Sequence, residues 1–312
     1  MVVEMPEVPP DLLRIYSTSK ELQQNSRTYN NLLSMSALGT TGSFSRQNGP
    51  ANIVLNGRTY HRMLSGNDES GPLRMFINDG SFVHDSAKRL QADVELTKNL
   101  QKLIIKYNPL MQEFKRLADQ PSENARLELT VNNANDLGAI IIPSRSGEIQ
   151  KQTVVCWRVR ENEPTFIESS NPLYVPLHYV LLCPTGTFGW SRELKKISKG
   201  TTMLMYNRQI ILRSKVLHLL GGLMNEYVVD IFSGIEDERL NWIRFNQQKI
   251  CKRTDLENGE QTGRVFLPAS FIGSYRHNQK LISDALAIVS RFGNPTYFIT
   301  ITCNPAWPKI KA

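Results

Sequence analysis

Apolar residues recur every three or four positions in several segments of the chain, which is the spacing of one helix face. The clearest segment predicts a helix from Asp93 to Tyr107, a break at Pro109 and a second helix over residues 110–119. A short helix is also predicted at residues 11–16. These segments indicate helices that bury one face against the rest of the protein.

The same spacing returns in the C-terminal part of the chain. One apolar stripe runs from Leu212 to Ile231 and is interrupted by Gly221-Gly222, which predicts close helix packing or a bend. A second stripe runs from Leu240 to Cys251. The last predicted helix covers residues 279–292, with an apolar inner face and Gly293 as the residue that ends it.

Short runs rich in β-branched and aromatic residues predict strands. Residues 53–63 contain Asn56-Gly57 between two apolar runs, which predicts a two-residue hairpin, and residues 74–79 are a candidate third strand. Three further strands are predicted at residues 126–131, 138–143 and 153–159.

These elements predict an α+β fold with three regions. Residues 1–50 are expected to be a weakly structured N-terminal lead, because they are rich in proline, glycine, serine and asparagine. Residues 51–190 are expected to be a mixed α/β region. A soft boundary is placed near residue 190, because three prolines and two glycines in residues 171–190 disfavour regular structure there. Residues 191–312 are expected to be rich in helix.

Composition narrows the class of protein. The 312 residues are 40% hydrophobic, enough for a substantial core, and the net charge of +8 favours an anionic partner such as nucleic acid, although a solvated basic surface gives the same charge. The four cysteines lie far apart, which predicts reduced, buried thiols. The N-terminus does not resemble a signal peptide, and no apolar run reaches the length of a membrane span, so we expect an intracellular protein with no membrane partner.

Motifs for catalysis are missing from the sequence. The chain has no phosphate-binding loop of the GxxxxGK[S/T] type, no GxSxG elbow and no histidine pair at metal-ligand spacing. The isolated histidines therefore favour structural or surface roles. The acidic triplet Glu236-Asp237-Glu238 is expected to stabilise the N-terminus of a helix through its dipole. We predict no catalytic, metal or nucleotide-binding residue.

Basic residues cluster in two stretches, residues 192–215 and 239–253. These stretches either contact DNA phosphates or form an ordinary solvated surface, and the sequence leaves both interpretations open. Asn241, Arg244, Gln248 and Lys252 lie on one predicted helix face. Trp242 and Trp307 are candidate stacking platforms, although buried core positions are the alternative. The candidate DNA-binding residues are Arg192, Lys195, Lys196, Lys199, Arg208, Arg213, Lys215, Arg239, Arg244, Lys249, Lys252 and Arg253.

Six segments together resemble the helicase-like N-terminal region of Helitron transposon proteins, the rolling-circle Rep-helicases. They follow one another in the order of that family across most of the chain. The segments are DLLRIYSTSKELQQNSRTYNNLLSMSALG (11–39), NGRTYHRM (56–63), NPLYVPLHYVLLCPTGTFGW (171–190), DERLNWIRFNQQKI (237–250), GRVFLPASFIGSYRHNQKLISDALAIVSRFGNP (263–295) and FITITCNPAWPKI (298–310).

The resemblance implies that the last segment is the first strand of an HUH-type Rep nickase. Phe298, Thr300 and Thr302 alternate onto one face of this strand, and Asn304 follows it. The threonine hydroxyls face a nuclease site in one interpretation. In the other, threonine is present only because it is favoured in β-strands. In the family a metal-binding His-hydrophobic-His pair and catalytic tyrosines come later, and these motifs are not found in this sequence. The expected fold is therefore a mixed part, then helices leading into an incomplete HUH-type nuclease sheet.

The resemblance also implies a function. We expect a truncated, transposon-derived Helitron-like region related to rolling-circle DNA transposition, located in the nucleus. It is expected to bind single-stranded DNA or transposon ends without nicking or ATPase activity of its own, so divalent metal and ATP are expected only for the full-length family protein. The alternatives are a non-enzymatic module that binds another protein, such as a full-length transposase, and an incomplete gene-model fragment of a nickase-helicase.

Overall fold

The structure, a computed structural model, describes residues 8–42, 44–46, 53–55, 58–64, 81–122, 124–131, 136–144, 153–158, 165–193, 200–250, 265–297 and 299. The chain divides into two compact units, Met1–Asp237 and Glu238–Ala312. The sequence places a soft boundary earlier, near residue 190. Small antiparallel sheets accompany many helices, so the expected α+β class is confirmed.

The first unit begins with three short helices, α1 (Pro10–Thr18), α2 (Lys20–Gln24) and α3 (Ser26–Leu33). Their inner faces carry fully buried side chains, among them Tyr16 and Tyr29. The short helix predicted at residues 11–16 is confirmed by α1, and the structure corrects the expectation of a weakly structured lead for residues 20–33. Each helix is too short for a long apolar pattern, and tertiary packing stabilises it instead.

A long antiparallel hairpin follows. Strand β1 (Ser36–Thr40) pairs with β4 (Thr59–Met63), and β2 (Phe44–Arg46) pairs with β3 (Ile53–Leu55) in the same register. The predicted hairpin within residues 53–63 is wrong, because β3 and β4 each pair with an earlier strand. The predicted turn residues Asn56 and Gly57, and the candidate strand at residues 74–79, lie outside the described residues.

Helices α4 (Ser81–Arg89), α5 (Val94–Tyr107) and α6 (Pro109–Ala118) follow the hairpin. The predicted helix, break and helix of residues 93–119 are confirmed. Asp93 Oδ1 accepts a hydrogen bond from the Leu96 amide and starts α5, while Asn108 Oδ1 accepts from the Leu110 amide and starts α6. The periodic apolar residues of this segment thus become buried faces of two capped helices.

The second three-stranded sheet confirms the three strands predicted between residues 126 and 159. Strand β5 (Arg126–Val131) is central, between β6 (Leu137–Ile142) and β7 (Val154–Trp157). Cys156 in β7 and Cys183 are both buried, while Cys251 and Cys303 lie outside the described residues. The last strand, β8 (Phe166–Ile167), adds to β4 in the first sheet.

Residues 171–190 form a buried segment that the sequence assigned to irregular structure. Its helix α7 (Tyr174–His178) contains Pro176, and every side chain from Leu173 to Cys183 is buried. The expectation of irregular structure is therefore wrong only for Tyr174–His178, and the rest of the segment forms turns and irregular chain as expected. Proline is tolerated because it lies in the first turn of the helix, where its missing amide has no partner to lose.

Gly186 lies against the Asn108 cap and has a φ of +72°. A Cβ atom at this position would come within 2.8 Å of Asn108 Oδ1. We expect Gly186→Ala to lower the free energy of unfolding by about 1–2 kcal/mol through the left-handed backbone alone, with a further loss from the clash. Gly200→Ala is the control, because Gly200 has a φ of +100° and a methyl group there would meet no atom of the described residues within 4 Å. If the two variants unfold at the same urea concentration, the predicted clash between a Cβ atom at position 186 and Asn108 does not destabilise the protein.

The first unit ends with α8 (Met203–Arg213), α9 (Lys215–Leu219) and the start of α10 (Gly221–Phe245). Helix α3 packs at the start of α10, where Ser26 Oγ accepts a hydrogen bond from the Leu223 amide. The helix-terminus role expected for the acidic triplet at residues 236–238 is wrong, because these residues lie inside α10. Asp237 instead forms an ion pair with Arg58.

The second unit contains the end of α10, then α11 (Gln247–Ile250) and α12 (Tyr275–Phe292). The Gln247 side-chain amide holds the extended chain at Phe266, donating to its carbonyl and accepting from its amide. Gly293 ends α12 with a φ of +82°, which confirms the predicted cap. None of the helices formed by the described residues has the length and apolarity required to cross a membrane.

The apolar face of α12 differs from the expected inner face. Most of its large apolar side chains are exposed in the second unit, among them Leu281, Ile282, Ile288 and Phe292. Periodicity predicts the helix and its stripe but not what covers the stripe. The expected HUH-type strand cannot be compared, because Phe298, Thr300, Thr302 and Asn304 lie outside the described residues.

Candidate functional site

The described members of the predicted DNA-binding set are all exposed. Five others, Lys195, Lys196, Lys199, Lys252 and Arg253, lie outside the described residues. The exposed members are Arg192, Arg208, Arg213 and Lys215 in the first unit and Arg239, Arg244 and Lys249 in the second. Contact with phosphates requires such exposure. The two groups belong to different units of the chain.

In the sequence of the second unit, two exposed aromatic residues lie between two exposed cations. Arg239, Trp242 and Phe245 follow one another at three-residue steps along α10, and Lys249 comes four residues later in α11. Trp242 is 56% exposed and Phe245 is 88% exposed. We call these four residues the aromatic–basic face. The sequence predicts a role for Arg239, Trp242 and Lys249, but Phe245 was missed. Its three-residue spacing from Trp242 is the pattern that could have identified it.

The first unit contains a buried polar cluster around His61 of β4 and Asp230 of α10. His61 Nε2 lies 2.9 Å from Asp230 Oδ2, and both side chains have no exposed surface. The hydroxyls of Tyr174 and Tyr179 donate to the two Asp230 oxygens at 2.7 and 3.0 Å. The His61 and Tyr174 rings stack with centroids 3.6 Å apart. Asp230 therefore connects α10 to β4 and to the 171–190 segment.

His178 extends the cluster towards α3. Its Nδ1 lies 2.7 Å from the Ser36 carbonyl oxygen and its Nε2 lies 3.4 Å from Glu226 Oε1. Glu226 also pairs with Arg27, with 2.6 Å between Oε2 and Nε. The His61 and His178 rings are 4.6 Å apart. We call His61, Tyr174, His178, Tyr179, Glu226 and Asp230 the polar core.

Burial and charge pairing act against each other in the polar core. Burial acts to raise the pKa of Asp230, but the charge and hydrogen bond of His61, with the Tyr174 hydroxyl, outweigh it and lower that pKa. Burial likewise acts to raise the pKa of Glu226. The hydrogen bonds and charges of His178 and Arg27 outweigh this effect, so the pKa of Glu226 is lowered. For His61, burial lowers the pKa against the opposing effect of Asp230. Burial and Asp230 both raise the pKa of Tyr174 and Tyr179.

The polar core joins distant chain segments, and all of its residues except Glu226 are buried. His61 and His178 have the structural role that the sequence favours for isolated histidines, but their partners were not predicted. No sequence signal links them, since His61 and Asp230 are 169 residues apart. Among the described residues, no three His, Cys, Asp or Glu side chains are arranged to hold a metal ion. The aromatic–basic face is therefore the candidate functional site.

Comparison with known proteins matches part of the chain to a family. Residues 202–312 match the family model described as the Helitron helicase-like domain at the N-terminus. The match starts at the capping residue of α8 and includes the aromatic–basic face. The resembling segments at residues 11–39, 56–63 and 171–190 lie outside it. No curated protein and no solved structure matches the chain. Residues 202–312 are thus similar to the helicase-like domain found at the N-terminus of Helitron proteins.

Proposed function

We propose that this protein is a transposon-derived DNA-binding protein related to rolling-circle DNA transposition, and that its aromatic–basic face binds single-stranded DNA. The observation that carries the proposal is the exposure of Trp242 and Phe245 between Arg239 and Lys249, within the residues that match the Helitron region. The proposal includes no nicking or ATP hydrolysis by this chain. It implies a nuclear location, where DNA is available.

The chemistry of the face suits a single strand better than a duplex. Unpaired bases offer flat π surfaces that stack on exposed aromatic rings, while a duplex hides these surfaces between neighbouring base pairs. Arg239 and Lys249 lie on either side of the two rings along the chain, so they would meet the phosphates that flank stacked bases. Such phosphate contacts release counterions and make the affinity depend steeply on salt.

The salt dependence of binding tests this proposal. We expect the affinity of the full chain for oligo(dT) to fall as salt rises. The Arg239→Ala/Lys249→Ala variant is expected to show a slope of log K against log salt that is smaller by about 1.4, since each phosphate that a cation neutralises adds about 0.7 to the slope on a single strand. The control variant is Arg14→Ala/Lys102→Ala, which removes two exposed cations of the first unit. An unchanged slope in the Arg239→Ala/Lys249→Ala variant would contradict the proposed role of the two cations.

A protein-interaction module is the second candidate, and the exposed apolar residues of α12 favour it. Leu281, Ile282, Ile288 and Phe292 present a surface that suits the apolar face of another protein, such as a full-length transposase. Binding through this surface would depend weakly on salt. A complex that forms equally well at low and high salt would therefore support this function over DNA binding.

A further inference from the structure

The two ring nitrogens of His61 both face oxygen acceptors. Nδ1 lies 2.9 Å from the Tyr174 carbonyl oxygen, which accepts hydrogen bonds and cannot donate them, so Nδ1 carries a proton. Nε2 lies 2.9 Å from Asp230 Oδ2, and this hydrogen bond holds one proton. The His61–Asp230 pair is therefore complete, with no net charge, when it holds these two protons.

A further proton has no acceptor in this arrangement. Both Asp230 oxygens already accept from tyrosine hydroxyls, Tyr174 at 2.7 Å and Tyr179 at 3.0 Å. A protonated Asp230 beside a doubly protonated His61 would direct its O–H at groups that are themselves donating. The pair would also carry a positive charge in a place without exposed surface, which is costly because no water solvates it.

The surrounding elements do not offset that charge at the pair itself. Strand β4 carries Arg62 next to His61, and strand alternation directs it to the other sheet face. The 171–190 segment adds His178 with its ring 4.6 Å from that of His61, and α10 adds Tyr227 and Glu226. Glu226 is engaged by His178 and by Arg27 of α3. The nearest carboxylate beyond Asp230 is thus paired already.

We infer that the polar core is an acid-sensitive lock, in which uptake of one further proton by the His61–Asp230 pair releases α10 from β4 and from the 171–190 segment. Because the closed cluster holds the pKa of Asp230 below its ordinary value, an opened Asp230 takes up this further proton more readily, and opening becomes more favourable as the pH falls towards the ordinary aspartate value. The apolar contacts of α5 and α6 have no such dependence.

Hydrogen–deuterium exchange of the full chain, corrected for intrinsic exchange rates, tests the lock. From pH 5 to pH 3, we expect opening of residues 58–64, 174–182 and 224–234 to increase by up to about tenfold per pH unit, the limit for one proton. Residues 94–118 serve as the internal control and are expected to change far less. If exchange rises equally in all four segments, or in none, the inference is overturned.

Tyr179→Phe and Tyr206→Phe form a matched pair of variants. Tyr179→Phe removes one donor to Asp230, so the closed cluster takes up the further proton more easily and the increase in opening per pH unit is expected to be smaller than in the wild type. Tyr206→Phe removes another hydroxyl of a buried tyrosine, which donates to the Phe188 carbonyl and not to Asp230, so its pH course is expected to match the wild type. The same pH course in both variants would overturn the inference.

Discussion

Replacing Asp230 by alanine is expected to lower the free energy of unfolding of the first unit by about 3–5 kcal/mol. The substitution removes the partner of His61 Nε2 and of the Tyr174 and Tyr179 hydroxyls, which are all buried. Three buried polar groups would be left without an acceptor, and that desolvation cost is larger than the value of an ordinary hydrogen bond. Urea unfolding followed by the fluorescence of the buried Trp157 and Trp190 measures the loss.

Asn225→Ala is the control for this prediction. Asn225 lies on the exposed face of the same helix, so its replacement is expected to change stability by less than about 0.5 kcal/mol. Asp230→Asn keeps the shape of the side chain and is expected to fall between the two. If Asp230→Ala is as stable as Asn225→Ala, the polar core does not hold the first unit together.

Phe114→Ala is expected to have a comparable effect for a different reason. Phe114 is fully buried on the inner face of α6, beside Leu110 and Leu117, and its loss leaves a cavity worth about 3–5 kcal/mol. This cost should not change between pH 7 and pH 5, because no titrating group is involved. Urea midpoints at both pH values make the comparison.

Lys115→Ala is the matched control for Phe114→Ala, since Lys115 is the next residue of α6 and is exposed. It is expected to unfold at nearly the wild-type urea concentration. A loss for Phe114→Ala no larger than for Lys115→Ala would mean that α6 does not pack as the structure places it.

The sequence predicted those elements whose own residues carry the pattern. Helices α5 and α6 and strands β5 to β7 agree with prediction because each has a local apolar period together with a cap or turn residue. Strand pairing is not local, and the strong Asn56-Gly57 signal was therefore misleading. The register from Ser36–Met63 to Arg46–Ile53 instead makes β1 to β4 one long hairpin.

The candidate site was predictable only in part for the same reason. Cations and Trp242 can be read from the sequence, but whether Trp242 is buried or exposed depends on packing, and the structure leaves both Trp242 and Phe245 exposed. The polar core was not predictable, because its histidines and carboxylates come from distant segments. The acidic triplet was misread because α10 begins at Gly221, well before it.

The affinity of the full chain for oligo(dT) after removal of the two exposed aromatic side chains tests the proposed function most directly. Val229→Ala/Phe232→Ala is the control, since these residues are exposed and lie three residues apart on the same helix, as Trp242 and Phe245 do. We predict that Trp242→Ala/Phe245→Ala weakens binding by at least about tenfold, from about 1–3 kcal/mol per stacked base, while the control binds like the wild type. Equal affinities for the two variants would contradict the proposed binding face.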